Sequence, residues 1–340
     1  MDWFELLTGF TEMGYAHTRS KLKVEGNRLQ SLVNGKSYGI GELELVSLEA
    51  LRERAKRANR LPGQLKVSVV SGDVRKMHAL SQNAGALFQV ASQFNLLEMV
   101  GPTVTPEDGV TRYQHDHTQG PACAIAAGAA TIYRNYFAPV AGGIGQTADR
   151  QFDGLAALGA ALSSALKQPV NSMWSMQNGY ALCTRNGLDA ISKYISASDS
   201  QQLDMLRGKL CIGIHQDVEV TDAPGDNRPF VTQAFSSALP ISYTSISPIY
   251  WKPFASLILE ASYEAIMWAA MLNAIRGASK VVLLTMLGGG AFGNDSSWIY
   301  AAMRRALAIM LGTDLDVRIV SYGEAPQALL QIAGEFGKAG

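Results

Sequence analysis

Apolar and polar positions change period several times along the chain, and each change marks an element. Residues 20 to 46 alternate polar and apolar around Glu25-Gly26-Asn27 and Asn34-Gly35, the composition of tight reversals between short antiparallel strands. An accessory hairpin layer is therefore expected to open the fold. From Ser47 to Asn59 the run LEALRERAKRA carries helix formers behind a serine that can cap it, and it stops at Pro62-Gly63. Beyond that breaker six runs read as strands: 66–70, 85–92, 209–214, 229–235, 280–285 and 316–322. Helical stretches separate them, most clearly 121–136, 254–276 and 296–311, while 154–167 is an Ala/Gly/Leu stretch too short to span a bilayer. This rhythm predicts a layered α/β core without internal repeats.

Composition narrows the classes. The chain has 340 residues, 47% hydrophobic and 17% charged, enough for one large domain or two smaller ones. Its formal charge of zero gives no bulk attraction for a polyanion, so nucleic acid is not an expected partner. Cys123, Cys183 and Cys211 lie far apart and form no CxxC pair, which argues against a disulfide framework or a zinc knuckle and for a reducing cytoplasm. The opening MDWFELLTGF has acids where a signal peptide needs bases, and the most apolar helix is interrupted by Glu260 and Glu264. A soluble protein, without a membrane partner, is expected.

The run VVLLTMLGGGAFGNDSSW, residues 281 to 298, is an apolar strand that breaks into glycines and restarts as a helix at Asp295-Ser296. Gly288, Gly290 and Gly293 satisfy GxGxxG, which raises a dinucleotide-binding oxidoreductase. That reading needs further βα units after the turn and an acid about 20 residues on. Only one helix and one strand follow before the last helix, and Glu324 comes later than that spacing. A tight turn that merely packs helix on strand would use the same glycines. A second strand, in VVSGDVRKM (69 to 77), also runs into a special turn; Asp73 there is either a routine turn residue or an acceptor for an exocyclic amine.

The order of these segments carries a resemblance. Gly72-Asp73-Val74, then a strand closing in Phe94-Asn95, then a polar loop into HDHTQGPACAIAAGAATIYRNY, resembles the ADP-ribose-binding macrodomain, with its Gly-Asp-Ile-Thr and its strand ending in Asn. ILEASYEAIMWAA, KVVLLTMLGGGAFGND and DVRIVSYGE are similar to the helix, glycine loop and last strand of poly(ADP-ribose) glycohydrolases, whose loop likewise reads Gly-x-Gly-Ala-Phe-Gly. The chain also resembles the macrodomain ADP-ribosyl hydrolases of Legionella effectors. The likeness covers residues 66–136 and 209–324.

The resemblance implies a three-layer, macrodomain-like mixed sheet flanked by helices. Residues 1–62 would form the accessory layer, and 63–340 the ADP-ribose-binding domain with an inserted helical segment near 140–205. It implies that Gly288, Gly289, Gly290, Ala291, Phe292, Gly293 and Asn294 wrap a diphosphate, with the helix start near Ser296 facing its charge and Phe292 against the distal ribose. Asp73 would hold the adenine amine, Tyr322 would stack on adenine unless it is a core tyrosine, and Asn95 would touch the distal ribose.

Hydrolysis at that ribose needs a carboxyl group. The glycohydrolases place paired glutamates after a glutamine, whereas here the letters are Gln119-Gly120-Pro121. The acids shift instead to the loop TPEDGVTRYQHDHTQGP, where Asp108 and Asp116 are the catalytic candidates by likeness to the effector hydrolases. Glu98 is a further candidate, and Thr118 and Gln119 would orient substrate hydroxyls. His115-Asp116-His117 lacks a second ligand pair, so no metal site and no cofactor are expected. The expected function is an ADP-ribosyl hydrolase acting on ADP-ribosylated protein, ubiquitin being one candidate, in the cytoplasm or, for a secreted effector, the host cytosol. A non-catalytic ADP-ribose reader is the alternative, which the missing glutamate pair supports.

Overall fold

The computed structural model describes residues 1–58 and 61–337. The first long helix runs Leu48–Arg57, with the Ser47 hydroxyl accepting from the Ala50 N–H at 3.2 Å; Asn59, its expected end, lies outside the described residues.

Seven strands form the central sheet: β1 (Glu42–Ser47), β2 (Lys66–Ser71), β3 (Leu87–Ala91), β4 (Cys211–Glu219), β5 (Phe230–Ser236), β6 (Val281–Leu284) and β7 (Asp316–Ser321). Their spatial order is β1-β4-β5-β3-β6-β7-β2. From β5 to β2 every neighbouring pair is parallel, and β1 and β4 add an antiparallel edge. The six strands read from the sequence are all present. The seventh, β1, lies inside the segment assigned to an accessory layer, and the pairing of Val46 with Ile212 makes it the edge of the main sheet. The boundary at residue 62 is corrected accordingly: only the meander Leu22–Glu25, Arg28–Ser31, Ser37–Gly39 and the helices before it form a separate layer.

Alternation along the strands divides the sheet between two cores. Leu87, Val282, Leu284, Val317 and Ile319 belong to the core that holds the Lys252–Ile275 and Ser296–Ile309 helices, while Phe88, Val90, Val281 and Leu283 belong to the one that holds Cys123 and Ala130. In β4 the register slips between His215 and Val218, with Asp217 at φ 53°. Ile212 and Ile214 therefore point to the first core and Val218 to the second, the expected effect of a bulge. Helices on both faces complete three layers.

The Lys252–Ile275 helix is long and apolar enough to cross a membrane by length and composition, but its side chains lie in the first core: Leu257, Ile258, Ala261, Ile266 and Met267 are all buried. The helix expected over 121–136 is two, Gln119–Ala126 and Gly128–Tyr136, broken at Ala127, where φ −114° and ψ 58° leave the helical region. The 140–205 segment is less purely helical than expected. It holds the helices Ala156–Leu166, Arg185–Ala197 and Ser200–Gly208, and between them the hairpin Trp174–Gln177/Tyr180–Cys183.

The sheet has a seam at its centre. β3 and β6 share two register pairs, Val282 with Leu87 and Leu283 with Phe88, and then diverge. The groups that the divergence would strand, the carbonyl of Gln89 and the N–H of Ala91, are satisfied by the side-chain amide of Gln119 at 2.8 and 2.9 Å. Gln89 itself reaches across, its Oε1 accepting from the Thr285 N–H at 3.0 Å.

Candidate functional site

A cavity of about 630 Å³ opens over the carboxyl ends of the parallel strands, where open α/β sheets bind ligands. Gly72, Ala91, Ala238, Thr285 and Tyr322, residues just at or beyond the ends of β2, β3, β5, β6 and β7, all line it. From β3 to β2 is three strand spacings, roughly 14 Å across. An elongated molecule fits that span better than a compact one.

The glycine loop forms its floor. Within it the N–H groups divide into two sets. Those of Leu287, Gly289, Gly293 and Asn294 donate to Thr285, Met286, Gly290 and Gly288 carbonyls, so they hold the turn itself. Those of Gly288, Gly290, Ala291 and Phe292 have no acceptor among the described residues, and these four residues line the cavity. Gly289, Gly293 and Asn294 do not line it. Their expected ligand contact is corrected: they build the turn. Asn294 is buried, its amide donating to the Leu239 carbonyl at 2.9 Å. Gly288 at φ 75° and Gly293 at φ 71° are required by the backbone, and a Cβ would stand 2.4 Å from Ala238 and 2.0 Å from the Ser242 hydroxyl respectively. Gly290 is different: its φ is ordinary and a Cβ would meet nothing within 4 Å. The helix start is also corrected. Asp295 caps it, its carboxylate accepting from the Ser297 N–H at 2.8 Å, and neither residue lines the cavity.

At the β7–β2 end, Asp73 caps the short Val74–His78 helix through one carboxylate oxygen, accepting from the Arg75 N–H at 2.9 Å, and the second oxygen is unused among the described residues. Tyr322 lines the same end and is 86% exposed, which removes the core-tyrosine alternative. Pro326 and Leu329 supply apolar surface beside it.

The other end carries two acids, Asp116 and Glu98. Asp116 lines the cavity, one oxygen accepting from the Thr118 N–H at 2.8 Å. Glu98 lines it too, although only 1% of the residue is exposed. Its Oε2 stands 3.4 Å from Arg134 Nη2, its N–H donates to the Tyr113 hydroxyl at 3.1 Å, and its Oε1 has no partner among the described residues. Burial pushes the Glu98 carboxyl up to about 7, against the loose pull of Arg134. A carboxyl group that holds its proton near neutral pH can act as a general acid.

Two expected residues stand outside the cavity, and two more line it without the expected role. Asp108 is exposed and outside the cavity; its carboxylate closes a capping box, accepting from the Thr105 N–H at 2.8 Å, so a catalytic role is corrected to a structural one. Asn95 is fully buried off the cavity, held by the Gln151 side chain at 2.8 Å and the Leu97 N–H at 3.1 Å. The strand before it ends at Ala91, so Ser92 and Gln93 meet the cavity in its place. Gln119 lines the wall, but both ends of its amide are committed to β3 and do not orient a substrate hydroxyl. Thr118 is exposed at the rim, with no capping bond from its side chain.

Sequence reasoning missed the aromatic corner. Tyr180 from the inserted hairpin and Tyr243 from the loop after β5 join Phe292, with ring centroids 5.0 to 5.6 Å apart, and all three line the cavity. The Asn178-Gly179 pair that turns the hairpin was the available signal. Glu324, the acid an oxidoreductase would need, does not line the cavity.

Neither a protein-family model nor a curated protein matches the chain. Solved structures do. Poly(ADP-ribose) glycohydrolase from Deinococcus radiodurans in complex with ADP-ribose is 12% identical, with 87% of this chain and 95% of that one covered and a TM-score of 0.46. The glycohydrolase from Thermomonospora curvata, bound to the inhibitor ADP-HPD, is 14% identical over 95% and 97% of the two chains, with a TM-score of 0.42. A further structure of the Thermomonospora curvata glycohydrolase is 15% identical over 94% and 96%, at 0.43.

Proposed function

We propose that this protein binds ADP-ribose and hydrolyses its glycosidic linkage to a protein side chain. The observation that carries the reading is that four loop residues lining the cavity, Gly288, Gly290, Ala291 and Phe292, have N–H groups without acceptors among the described residues. Convergent amides suit a diphosphate. Asp73 and Tyr322 at one end fit an adenine, by amine contact and by stacking. Glu98 and Asp116 lie where the distal ribose would end. In this reading Glu98 gives its proton to the departing side-chain atom as the anomeric bond breaks. Asp116 orients the water whose oxygen joins the anomeric carbon, and takes up the water's proton.

Calorimetry with ADP-ribose tests the binding half. One-site binding is expected, and Gly290→Glu should abolish it, because the new carboxylate stands among the free amides while the backbone there tolerates a side chain. Heat absent at millimolar ligand would sink the reading. Release of ADP-ribose from modified protein tests the chemistry: Asp116→Asn and Glu98→Gln should keep binding and lose release.

A reader without catalysis is the second reading. It is favoured by the Thr118 N–H that already occupies one oxygen of Asp116 and by Gly120-Pro121 following Gln119. Tight binding with no release by the wild type would establish it.

A further inference from the structure

Glu12 sits in the N-terminal layer, and every one of its hydrogen-bond partners among the described residues belongs to the site's supporting loop or the helix behind it. Glu12 accepts the Val110 N–H at 2.9 Å, the Thr111 N–H at 2.7 Å and the Tyr136 hydroxyl at 2.7 Å. The two amides are adjacent, so the carboxylate grips the backbone with both oxygens, a charge-assisted geometry that a single acceptor cannot copy. The contact is close enough to need Gly109, at φ 83°, where a Cβ would stand 2.4 Å from Glu12 Oε2. Trp3 adds a second tie from the same layer, its indole N–H donating to the Thr111 carbonyl at 3.3 Å.

What the grip fixes is the start of the turn that delivers the reacting end. Thr111–His115 is a single short helix of the 3₁₀ type, and Asp116 is its C-cap. Inside that turn Tyr113 is fully buried, and its hydroxyl accepts the Glu98 N–H. One rigid turn thus connects Glu12 to both carboxyl groups at that end of the cavity, without Glu12 itself lining the cavity.

We infer that Glu12 is a positioning residue: the N-terminal layer holds the Thr111–His115 turn so that Glu98 and Asp116 face the distal ribose. The inference rests on the hydrolase reading of the cavity. It gives the layer a part in the chemistry and none in grasping the adenine or diphosphate, whose contacts come from other segments.

The test compares Glu12→Ala and Glu12→Gln with Phe4→Leu, in the full chain. Phe4 shares the layer's apolar core, which includes Val110 and Tyr113, but its side chain offers no acceptor to either amide, so Phe4→Leu reports what loosening the packing does with the carboxylate grip kept. The substrates are ADP-ribose for calorimetry and a mixture of proteins carrying single ADP-ribose groups on carboxyl, hydroxyl and guanidinium side chains for release. Both Glu12 variants are expected to release ADP-ribose roughly ten- to a hundredfold more slowly, the scale of an ångström of misplacement, with the Kd for ADP-ribose within about twofold. Phe4→Leu should lower the Tm and leave kcat alone. If kcat of the Glu12 variants matches wild type, or falls only in step with their Tm as Phe4→Leu does, the inference is overturned while the hydrolase reading stands. If the wild type binds no ADP-ribose, or binds and never releases it, the hydrolase reading fails first and the inference goes with it. Should Glu12→Ala not fold, Glu12→Gln, which keeps one acceptor and presents an amide to the second N–H, reads the same split.

Discussion

Glu98 shows how one buried side chain sets opposite demands on stability and chemistry. Its carboxyl is raised from the ordinary 4.5 to about 7 by burial, with Arg134, Tyr113 and Cys123 facing it. Below pH 4.5 it is protonated in both folded and unfolded chains; between 4.5 and about 7 the folded chain keeps a proton that the unfolded chain has lost. Stability from this group therefore falls as pH rises, by about 3 kcal/mol in all. His78 works the other way: burial holds its imidazole down to about 4, so its contribution is lost as pH falls from 6.5. His215, fully buried, is also held well below its ordinary value by burial and adds to His78, so the wild type should gain stability as pH rises from about 5 to about 6.5, and urea midpoints of Glu98→Gln should rise more steeply with pH than those of the wild type between about 5 and about 7. Release by the wild type should decline above about pH 7, as the acid loses its proton. Urea midpoints of Glu98→Gln that run parallel to those of the wild type across this range would show that the group does not titrate there. At this scale the turns at Gly288, Gly293 and Asp73 were legible because turn chemistry is local. The separation of Asp108 from Asp116 was not, because which acid caps a turn and which meets a cavity depends on how the loop is tied to Glu12.

Among the elements, the Lys252–Ile275 helix organises one face of the sheet and carries a charge in its apolar surface. Glu264 accepts from Arg52 Nε at 2.6 Å, Arg305 Nη1 at 2.5 Å and Trp268 Nε1 at 3.1 Å, joining three helices. Burial alone would raise its carboxyl, but the hydrogen bonds from Arg52 and Arg305 outweigh burial and hold it below the ordinary range. Glu264→Gln should cost about 2 kcal/mol, less than a fully buried pair because both arginines are partly solvated. Urea unfolding measures it, with ADP-ribose affinity expected to be unchanged; an unchanged midpoint would show the network to be ornamental. The strands of the parallel region were readable because burial on both faces makes short apolar runs such as Val281–Leu284 stand out. The edge strand Glu42–Ser47 was misplaced because its partner, Cys211–Glu219, lies far along the chain and pairing leaves no local mark. The break at Ala127 was invisible for a related reason: alanine and glycine around it give no periodic signal.

Across the whole molecule, the cavity is assembled from segments near residues 72, 92, 116, 180, 240, 288 and 322, so a bound ligand ties together most of the chain. ADP-ribose at a hundred times its Kd should add about 2.7 kcal/mol to the unfolding free energy of the wild type and nothing to Gly290→Glu. Thermal melts with and without ligand check this, and an equal gain in both proteins would place the ligand elsewhere. A layered α/β core followed from the alternation of strand and helix patterns, and its three-layer form only from the resemblance; the fit of the N-terminal layer against the reacting end followed from neither, since it depends on tertiary contacts between residues about a hundred positions apart.

The narrow β3–β6 junction has a mechanical meaning. With two rungs and a few side-chain amides holding its halves, the sheet should part there first under a pulling force. A molecule lying from Tyr322 to Asp116 would bridge the gap like a rivet, so occupancy would be felt as resistance to tearing along that line.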